Sequence, residues 1–162
     1  MGATVVVIGG GGREHAIVRS LYVSPRVSKV CVIPGSQYIR RIADCYPLSI
    51  KKEEDMLAVA LRIEQLRPDL VVVGPDDPLM FGLVDMLVAR GIPTFGPTRC
   101  AAQIEWDKIF AKQVMERAGI WTASWDSFSD REKALKHVML QGLPVVIKAA
   151  GLALGKGVST CH

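Results

Sequence analysis

Short runs of consecutive apolar residues alternate along the chain with longer segments in which apolar residues recur every three or four positions. The continuous runs are typical of buried parallel strands, and the helical recurrence is typical of helices that cover a sheet. We predict strands at about 3–9, 28–33, 44–49, 69–74 and 92–95, with helices at about 13–23, 53–67 and 79–90. This alternation predicts an α/β fold with a doubly wound parallel sheet.

The pattern changes after Pro97. A helical stretch at 99–119 and a helix near 130–141 precede an apolar strand that opens at Pro144 and ends at Lys148. A second glycine-rich loop, 151–157, follows that strand without leading into a helix. A strand, a lysine and a Gly-Lys-Gly loop in this order indicate a site that binds the phosphates of a nucleotide. The Walker pattern is incomplete, because its second required glycine would fall on Lys156.

Composition and charge narrow the classes of function. The chain has 162 residues, 49% of them apolar, and a formal net charge of +4. This length allows one complete α/β domain and a fragment of another. No apolar run approaches the roughly 20 residues that span a bilayer, and Met1 leads directly into the first predicted strand. We expect a cytoplasmic protein that binds small anions, with neither membrane nor nucleic acid as a partner.

The four cysteines have no C-x-x-C spacing. Cys31, Cys45 and Cys100 lie in apolar segments, whereas Cys161 is close to the C-terminus. Buried free thiols are therefore expected for the first three, and neither a metal site nor a disulfide framework is predicted.

A glycine-rich turn near the N-terminus is the first candidate for chemistry. The segment VVVIGGGGREHA, residues 5–16, joins a β-branched run to four consecutive glycines and then to helix-compatible residues. Glycine allows the backbone to approach a ligand closely, and the start of a helix presents unpaired N–H groups to an anion. The turn therefore predicts an anion site, and a tight turn without a ligand is the alternative.

The dinucleotide fingerprint is incomplete at this turn. It requires glycine at its first, third and sixth positions and an acidic residue at the end of the next strand. Counting from Gly9, the third position is Gly11, but the sixth is Glu14. The second predicted strand ends in Pro34 and Gly35, without a carboxylate. An NAD-dependent oxidoreductase is therefore disfavoured.

Six segments resemble, in order and spacing, the N-terminal third of the phosphoribosylamine–glycine ligase family, also called glycinamide ribonucleotide synthetase, of the ATP-grasp superfamily. They are VVVIGGGGREHAI, PGS, LVVVGPDDPL, FGPT, AAQIEWDKIFAK and PVVIKAAGLALGKGV. The resemblance implies a pre-ATP-grasp, Rossmann-like substrate-binding domain over 1–98. It also implies a linker helix region over 99–122 and the truncated start of an ATP-grasp domain over 123–162.

The resemblance implies a ligase of de novo purine biosynthesis. In that family ATP phosphorylates the carboxylate of glycine, and the amine of 5-phosphoribosylamine then displaces phosphate to form glycinamide ribonucleotide. ATP is a substrate, and Mg²⁺ or Mn²⁺ acts in the complete enzyme. The metal ligands are expected beyond His162, in a further C-terminal segment, and fused purine-pathway domains are other expected partners. The isolated chain, with no catalytic residue or metal site assigned, is expected to be inactive.

The resemblance also implies two sets of binding residues. The set expected to contact ATP is Lys108, Lys148, Gly151, Gly155, Lys156 and Gly157. The set expected to hold the phosphoribosyl group is Gly10, Gly11, Gly12, Arg13, Glu14, His15, Gly35 and Asp77. Purely structural interpretations stay open for several of them. Lys108 could be a solvated helical lysine, Glu14 could favour a helix start, and Asp77 could cap a helix.

Four positions depart from the family pattern. This chain has Ala150 in place of an acidic residue, Ser36 in place of asparagine, Asp76 in place of glutamate and Asp107 in place of serine. These changes bear directly on catalysis, because Asp107 places a negative charge beside Lys108. A non-catalytic module that binds a phosphoribosyl group or a nucleotide is therefore the main alternative to a ligase.

Overall fold

A five-stranded parallel sheet occupies the first part of the chain. The computed structural model describes residues 2–153 and 156–162. The strands of this sheet are β1 (Ala3–Gly9), β2 (Val27–Pro34), β3 (Asp44–Cys45), β4 (Leu70–Val73) and β5 (Thr94–Phe95). They lie in the order β3-β2-β1-β4-β5, and every pair is parallel. The sheet therefore extends outward from β1 in both directions, which confirms the predicted doubly wound α/β fold.

Helices cover both faces of this sheet and continue beyond it. In the described residues they are α1 (Gly12–Tyr22), α2 (Asp55–Leu66), α3 (Asp76–Met80), α4 (Leu83–Ala89), α5 (Arg99–Trp106), α6 (Lys108–Arg117) and α7 (Arg131–Gln141), with a 3₁₀ turn at Ile39–Arg41. No helix in residues 2–153 or 156–162 is long and apolar enough to cross a membrane.

The core has two halves, one on each face of the sheet. Val5 and Val7 of β1 pack on one face with Val18 of α1. Val6 and Ile8 pack on the other face with α2 and α4. Because successive strand residues point to opposite faces, a continuous apolar run is what a strand with two covered faces requires. The run that predicted β1 is therefore explained by its burial.

Two predicted elements are shorter or divided in the structure. The strand predicted at 44–49 contains only Asp44 and Cys45, because Pro47 follows and has no N–H to continue the ladder. The helix predicted at 79–90 is two helices, α3 and α4. They are separated at Gly82, which has φ of +77°. A residue in the left-handed region cannot continue a helix.

The helical stretch predicted at 99–119 is also two helices. The break is at Asp107, which has extended backbone dihedrals and is the N-cap of α6. Its carboxylate Oδ1 accepts hydrogen bonds from the N–H groups of Ile109, at 3.0 Å, and Phe110, at 3.1 Å. An aspartate N-cap satisfies donors that a helix start otherwise leaves unpaired, so this side chain favours a new helix over a continuous one.

The chain divides into two compact units, and the boundary lies within α5. The first unit extends to Ala102 and the second begins at Gln103. The second unit contains α6, α7 and an antiparallel pair, β6 (Val145–Lys148) and β7 (Val158–Cys161). The division into parts at 1–98, 99–122 and 123–162 stays a prediction.

All four cysteines are free. Cys31 is fully buried and Cys45 is half-buried, and burial raises the pKa of both thiols. The expectation of burial is wrong for Cys100, which is exposed. It lies on α5, whose one buried residue is Ala102.

Candidate functional site

The turn between β1 and α1 is shaped by close backbone approach. Gly9 ends β1 with φ of +123°, a conformation that side chains rarely allow. Gly11 is the N-cap of α1, and its carbonyl accepts a hydrogen bond of 3.0 Å from the N–H of His15. A Cβ on Gly10 would lie 2.4 Å from the carbonyl oxygen of Gly35. Glycine at position 10 is therefore required by the fold itself, whether or not a ligand binds.

Gly12 differs from its neighbours because it faces open space. A Cβ at this position would meet no atom within 4 Å. A cavity of about 320 Å³ lies beside it, and its wall consists of Gly10, Gly11, Gly12, His15, Ser36, Gln37 and Tyr38. The wall joins the start of α1, a helix of 11 residues, to the segment that follows β2. N–H groups at a helix start have no acceptor within the helix, so the cavity offers donors to an anion.

Gln37 and Tyr38 are wall residues that sequence analysis missed. Both belong to the segment PGSQY that follows β2, so the signal was their place at the carboxyl end of a strand next to β1. The side chain of Tyr38 is 58% exposed. Ser36 is also in the wall, and its hydroxyl accepts a 3.4 Å hydrogen bond from the N–H of Ile39. The wall at position 36 is therefore polar.

Arg13 and Glu14 lie outside the cavity wall, although both were predicted to hold the phosphoribosyl group. The guanidinium Nη1 of Arg13 donates a 2.7 Å hydrogen bond to the carbonyl of Gly74, which follows β4. The carboxylate of Glu14 accepts a 2.7 Å hydrogen bond from the N–H of Gly11. Both side chains therefore make contacts within the protein, and their contact with a ligand stays a prediction.

Gly35 and Asp77 are also outside the wall. Gly35 has φ of +73°, and a Cβ there would lie 2.4 Å from the Sγ of Cys45. Asp77 is in the first turn of α3, whose N-cap is Pro75. The interpretation of Asp77 as a helix cap is therefore wrong, because this residue lies inside the helix rather than before it. The role of Asp77 in ligand binding stays a prediction.

A larger cavity, of about 470 Å³, lies beside the amino-terminal half of β2. Its wall includes Lys29, Arg40, Arg41 and Asp44, and Lys29 forms a salt bridge of 3.4 Å with Asp44. Ligands of doubly wound sheets bind beyond the carboxyl ends of the strands, which is where the smaller cavity lies. The smaller cavity is therefore the better candidate, despite its size.

In the second unit, the start of α6 is joined to the loop after β6. The Nζ of Lys108 donates a 2.7 Å hydrogen bond to the carbonyl of Gly151, and its N–H donates a 3.0 Å bond to the carbonyl of Ala150. The nearby Lys112 instead bonds Thr122, at 2.7 Å through the hydroxyl, and Ala123. The structure thus brings two predicted ATP-binding residues, Lys108 and Gly151, into direct contact.

The other predicted ATP-binding residues surround the same loop. Lys148 ends β6 and is exposed, opposite Val158 of β7. Lys156 is exposed, whereas Gly157 is closely packed, since a Cβ there would lie 2.6 Å from the Cβ of Ala153. Gly155 lies outside the described residues. Lys148 and Lys156 lie at the ends of the loop between β6 and β7. Among the residues that the structure describes, neither lysine forms a salt bridge, so both provide positive charge that is not neutralised.

Asp107 precedes Lys108 and is ionised over most of the pH range. Hydrogen bonds from the Phe110 N–H, the Gln103 amide and the Ile109 N–H hold the pKa of its carboxyl below the usual range. Aspartate is a favoured N-cap residue, so position 107 combines the cap of α6 with a negative charge beside Lys108.

Across residues 2–153 and 156–162, no three histidine, cysteine, aspartate or glutamate side chains converge as a metal site would require. The carboxylate next to the lysines, that of Asp107, already accepts three hydrogen bonds. The described residues therefore do not fit a resident Mg²⁺ or Mn²⁺ ion, which takes several oxygen ligands.

Two family models match this chain, one after the other along the sequence. The family model for the N domain of phosphoribosylglycinamide synthetase matches residues 3–105. This chain belongs to the phosphoribosylglycinamide synthetase family. The model for the ATP-grasp (A) domain of the same synthetase matches residues 106–162. The resemblance inferred from the six motifs is confirmed.

Relatives of this chain include phosphoribosylamine–glycine ligases and trifunctional purine biosynthetic proteins. The chain is 48% identical over 161 residues to the trifunctional purine biosynthetic protein adenosine-3 of Drosophila melanogaster, covering 98% of this chain and 12% of that protein. It is 45% identical over 154 residues to the phosphoribosylamine–glycine ligase of Caldanaerobacter subterraneus, covering 95% of this chain and 36% of that protein. The chain therefore spans about a third of a single-enzyme relative's length.

Solved structures agree with the fold of the phosphoribosylglycinamide synthetase family. The phosphoribosylamine–glycine ligase of Thermotoga maritima has a TM-score of 0.72 at 27% identity, covering 97% of this chain and 35% of that one. The biotin carboxylase domain of 2-oxoglutarate carboxylase from Hydrogenobacter thermophilus has a TM-score of 0.75 at 19% identity, covering 99% of this chain and 38% of that one. The second similarity concerns the fold alone.

Proposed function

We propose that this chain is the N-terminal part of an ATP-dependent ligase that joins glycine to 5-phosphoribosylamine in de novo purine biosynthesis. The observation that carries the proposal is the order of the two family matches, the N domain over 3–105 and the ATP-grasp domain over 106–162. The Caldanaerobacter relative, a phosphoribosylamine–glycine ligase, supports it. Because the chain spans 36% of that relative, it is assigned part of the site rather than the whole reaction.

The reaction requires activation of a carboxylate. ATP would transfer its γ-phosphoryl group to a carboxylate oxygen of glycine, which gives ADP and glycyl phosphate. The amine nitrogen of phosphoribosylamine then attacks the carbonyl carbon, the bond from that carbon to the phosphate oxygen breaks, and the nitrogen loses a proton. Negative charge develops on the transferred phosphoryl group, where fixed cations and N–H donors stabilise it.

The cavity beside Gly12 is the proposed place for the sugar phosphate. Three features support this assignment: open space at Gly12, N–H donors at the start of α1, and the polar side chains of His15 and Ser36. Arg13 uses one guanidinium N–H to bond Gly74, and an arginine has five such donors, so others are available to a phosphate. The anion predicted for the glycine-rich turn would then be the phosphate of the sugar.

The contact between Lys108 and Gly151 is the proposed start of the ATP site. The carbonyl of Gly151 is a neutral acceptor, and a phosphate oxygen would accept a stronger, charge-assisted hydrogen bond from the same Nζ. Lys148 and Lys156 would add charge from either end of the loop. Binding of ATP would therefore exchange a contact within the protein for one with the nucleotide.

The divalent ion that ATP-grasp chemistry uses is not assigned to residues of this chain. The structure of the Hydrogenobacter carboxylase domain, which shares the fold, is a complex with MgADP, and a Mg²⁺ ion that accompanies ATP in the complete enzyme stays part of the proposal. Since the described residues do not fit such an ion, no step is assigned to it here. A cytoplasmic location and fused purine-pathway domains belong to the same proposal, and the trifunctional Drosophila relative supports the second of these.

A binding experiment on the 162-residue chain tests the proposal. Titration with ribose 5-phosphate, followed by NMR, is expected to shift the amides of Gly12 and His15 saturably, whereas NADH is expected to shift neither. Binding of NADH without ribose 5-phosphate would contradict the proposal. With glycine, ATP, Mg²⁺ and phosphoribosylamine, the chain alone is expected to form no glycinamide ribonucleotide.

Catalysis is tested in a chimera as long as a single-enzyme relative. The part of the Caldanaerobacter ligase that follows its matched residues would be appended to this chain. Product formation by the chimera would support the ligase. A folded chimera that binds ribose 5-phosphate and ATP but forms no product would favour the non-catalytic module.

A further inference from the structure

Glu14 is an unusual side chain in this fold. Among the residues that the structure describes, it is the only polar or charged residue that is buried, with 6% of its surface exposed. A buried carboxylate is unfavourable unless it is hydrogen-bonded or paired. Its position in the protein therefore requires an explanation beyond helix preference.

The side chain of Glu14 lies between the carboxyl ends of β1 and β4. A Cβ on Gly9, the last residue of β1, would be 2.4 Å from the Cγ of Glu14. A Cβ on Gly74, directly after β4, would be 2.5 Å from its Oε1. The N–H of Gly74 donates to the carbonyl of Ile8, so the two strand ends are adjacent. The absence of side chains at positions 9 and 74 leaves the space that Glu14 fills.

We propose that Glu14 is a positioning residue that fills the crevice between β1 and β4, fixes the Gly10–Gly12 turn, and confines any ligand of that turn to the β2 side. Only the statement about the ligand rests on the proposed function. The occupation of the crevice is a property of the folded chain and is tested separately.

The turn compensates the buried carboxylate. The N–H of Gly11 donates to Oε2 at 2.7 Å, and Glu14 is in the first turn of α1, where the helix dipole favours a negative charge. The Gly11 N–H is thereby fixed in direction, because its acceptor is held between two strands. A flexible glycine run is converted into a turn with one geometry.

The occupied crevice changes where a ligand can bind. In a doubly wound sheet the crevice at the strand where the winding direction reverses is the usual ligand site. Here that crevice lies between β1 and β4 and contains Glu14. The open cavity is on the opposite side of the turn, against the segment after β2. Glu14 therefore determines which side of the turn is accessible.

A double-mutant cycle in the 162-residue chain tests whether the crevice is occupied. Gly74 has a backbone conformation that other residues adopt. Gly74→Ala should therefore act through the clash with Glu14 and raise the unfolding equilibrium constant of the first unit about 10-fold or more. In a Glu14→Ala background, Gly74→Ala should change this unfolding equilibrium constant by about 3-fold or less. Native-state hydrogen exchange at the β1 amides measures the unfolding equilibrium constant in both backgrounds.

Gly12→Ala is the matched control, because its Cβ meets no atom within 4 Å. It should change the same constant by about 3-fold or less in both backgrounds. If the Glu14→Ala variant does not fold, Glu14→Asp replaces it, because aspartate is shorter by one methylene and withdraws the carboxylate from the crevice. In that background too, Gly74→Ala should have only the small effect. An equal effect of Gly74→Ala with and without Glu14 would overturn the proposal.

The positioning role is tested at the Gly11 amide and with ribose 5-phosphate. Glu14→Ala should remove the exchange protection of the Gly11 N–H and weaken binding about 10-fold, and Glu14→Gln, which keeps an acceptor oxygen, should restore both. The proposal would be overturned if Glu14→Ala and Glu14→Gln weakened ribose 5-phosphate binding equally while the exchange protection of the Gly11 N–H did not change. Glu14 would then contact the ligand directly. If the wild type does not bind ribose 5-phosphate, the proposed function fails, while the Gly74 cycle and the Gly11 amide still decide the role of Glu14.

Discussion

Arg13 reaches across the carboxyl edge of the sheet and donates a hydrogen bond of 2.7 Å to the carbonyl of Gly74. The two residues are 61 positions apart in sequence, and the bond joins the turn after β1 to the turn after β4. The same turn is held on its other side by the 3.1 Å bond from the Gly35 N–H to the Gly9 carbonyl. The ends of β1, β2 and β4 are thereby connected at the carboxyl edge of the sheet.

Arg13 is expected to contribute to both ligand affinity and stability. Charge-assisted contacts are worth roughly 1.5–3 kcal/mol each, so Arg13→Ala should weaken ribose 5-phosphate binding by about one to two orders of magnitude. Arg40→Ala is the matched control, since that arginine is exposed and lies in the wall of the larger cavity. Titration calorimetry measures both. If Arg13→Ala lowered the stability of the protein but left the ribose 5-phosphate affinity unchanged, the role of Arg13 would be its hydrogen bond to Gly74 alone.

Gly10 and Gly12 are expected to respond differently to the same substitution. Gly10→Ala should destabilise the first unit by about 1–3 kcal/mol, because the new Cβ would meet the backbone oxygen of Gly35 at 2.4 Å and neither atom can move freely. Gly12→Ala should leave stability within about 0.5 kcal/mol and reduce ribose 5-phosphate affinity. Chemical denaturation and calorimetry test the pair. Equal destabilisation by the two changes would contradict the geometry of the turn.

The second unit should unfold before the first. All the apolar residues that the structure shows as buried lie between Val5 and Ala102, whereas Trp121 and Met139 are 97% and 81% exposed. The three tryptophans, at positions 106, 121 and 125, follow Ala102, and the three tyrosines, at 22, 38 and 46, precede it. Tryptophan fluorescence in urea should therefore change at lower concentration than exchange protection at β1, and proteolysis should begin near the C-terminal end. Coincident transitions would show that the two units unfold together.

The N-cap at Asp107 should make α6 sensitive to acid. The folded pKa of Asp107 lies below its usual value of 3.8. Its contribution is therefore complete above the unfolded pKa and is lost as the pH falls through the folded pKa. Asp107→Ala should lower the stability of α6 by about 1 kcal/mol at neutral pH and by progressively less in acid. Asp107→Asn keeps a neutral cap, so the stability of that variant should not depend on pH through position 107. Amide exchange at Ile109 and Phe110 measures the effect. A constant difference between wild type and Asp107→Ala at all pH values would contradict it.

Thiol reactivity should separate the cysteines by burial. Burial raises the pKa of Cys31 and Cys45, so little thiolate is present near neutral pH. Cys100 is exposed and should react first with a maleimide reagent. Mass spectrometry after brief labelling identifies the modified residue, and labelling of Cys31 before Cys100 would contradict the placement of α5.

Local sequence determined the elements and the family of this protein. The apolar run at β1 predicts a buried strand because both faces of that strand are covered, and the six motifs identify the family because their order is fixed along the chain. The helix breaks at Gly82 and Asp107 depend on local backbone geometry as well, namely a left-handed glycine and an extended N-cap, which the recurrence of apolar residues does not report.

Tertiary structure alone decided what the glycines of the first turn do. Gly74 meets Glu14 and Arg13 only because β4 lies beside β1. No periodicity in the sequence states that strand order. The segment after β2 likewise supplies Ser36, Gln37 and Tyr38 to the cavity because β2 lies on the other side of β1. Sequence patterns report interactions between residues a few positions apart, whereas a site at the edge of a parallel sheet is made by strand ends that only folding brings together.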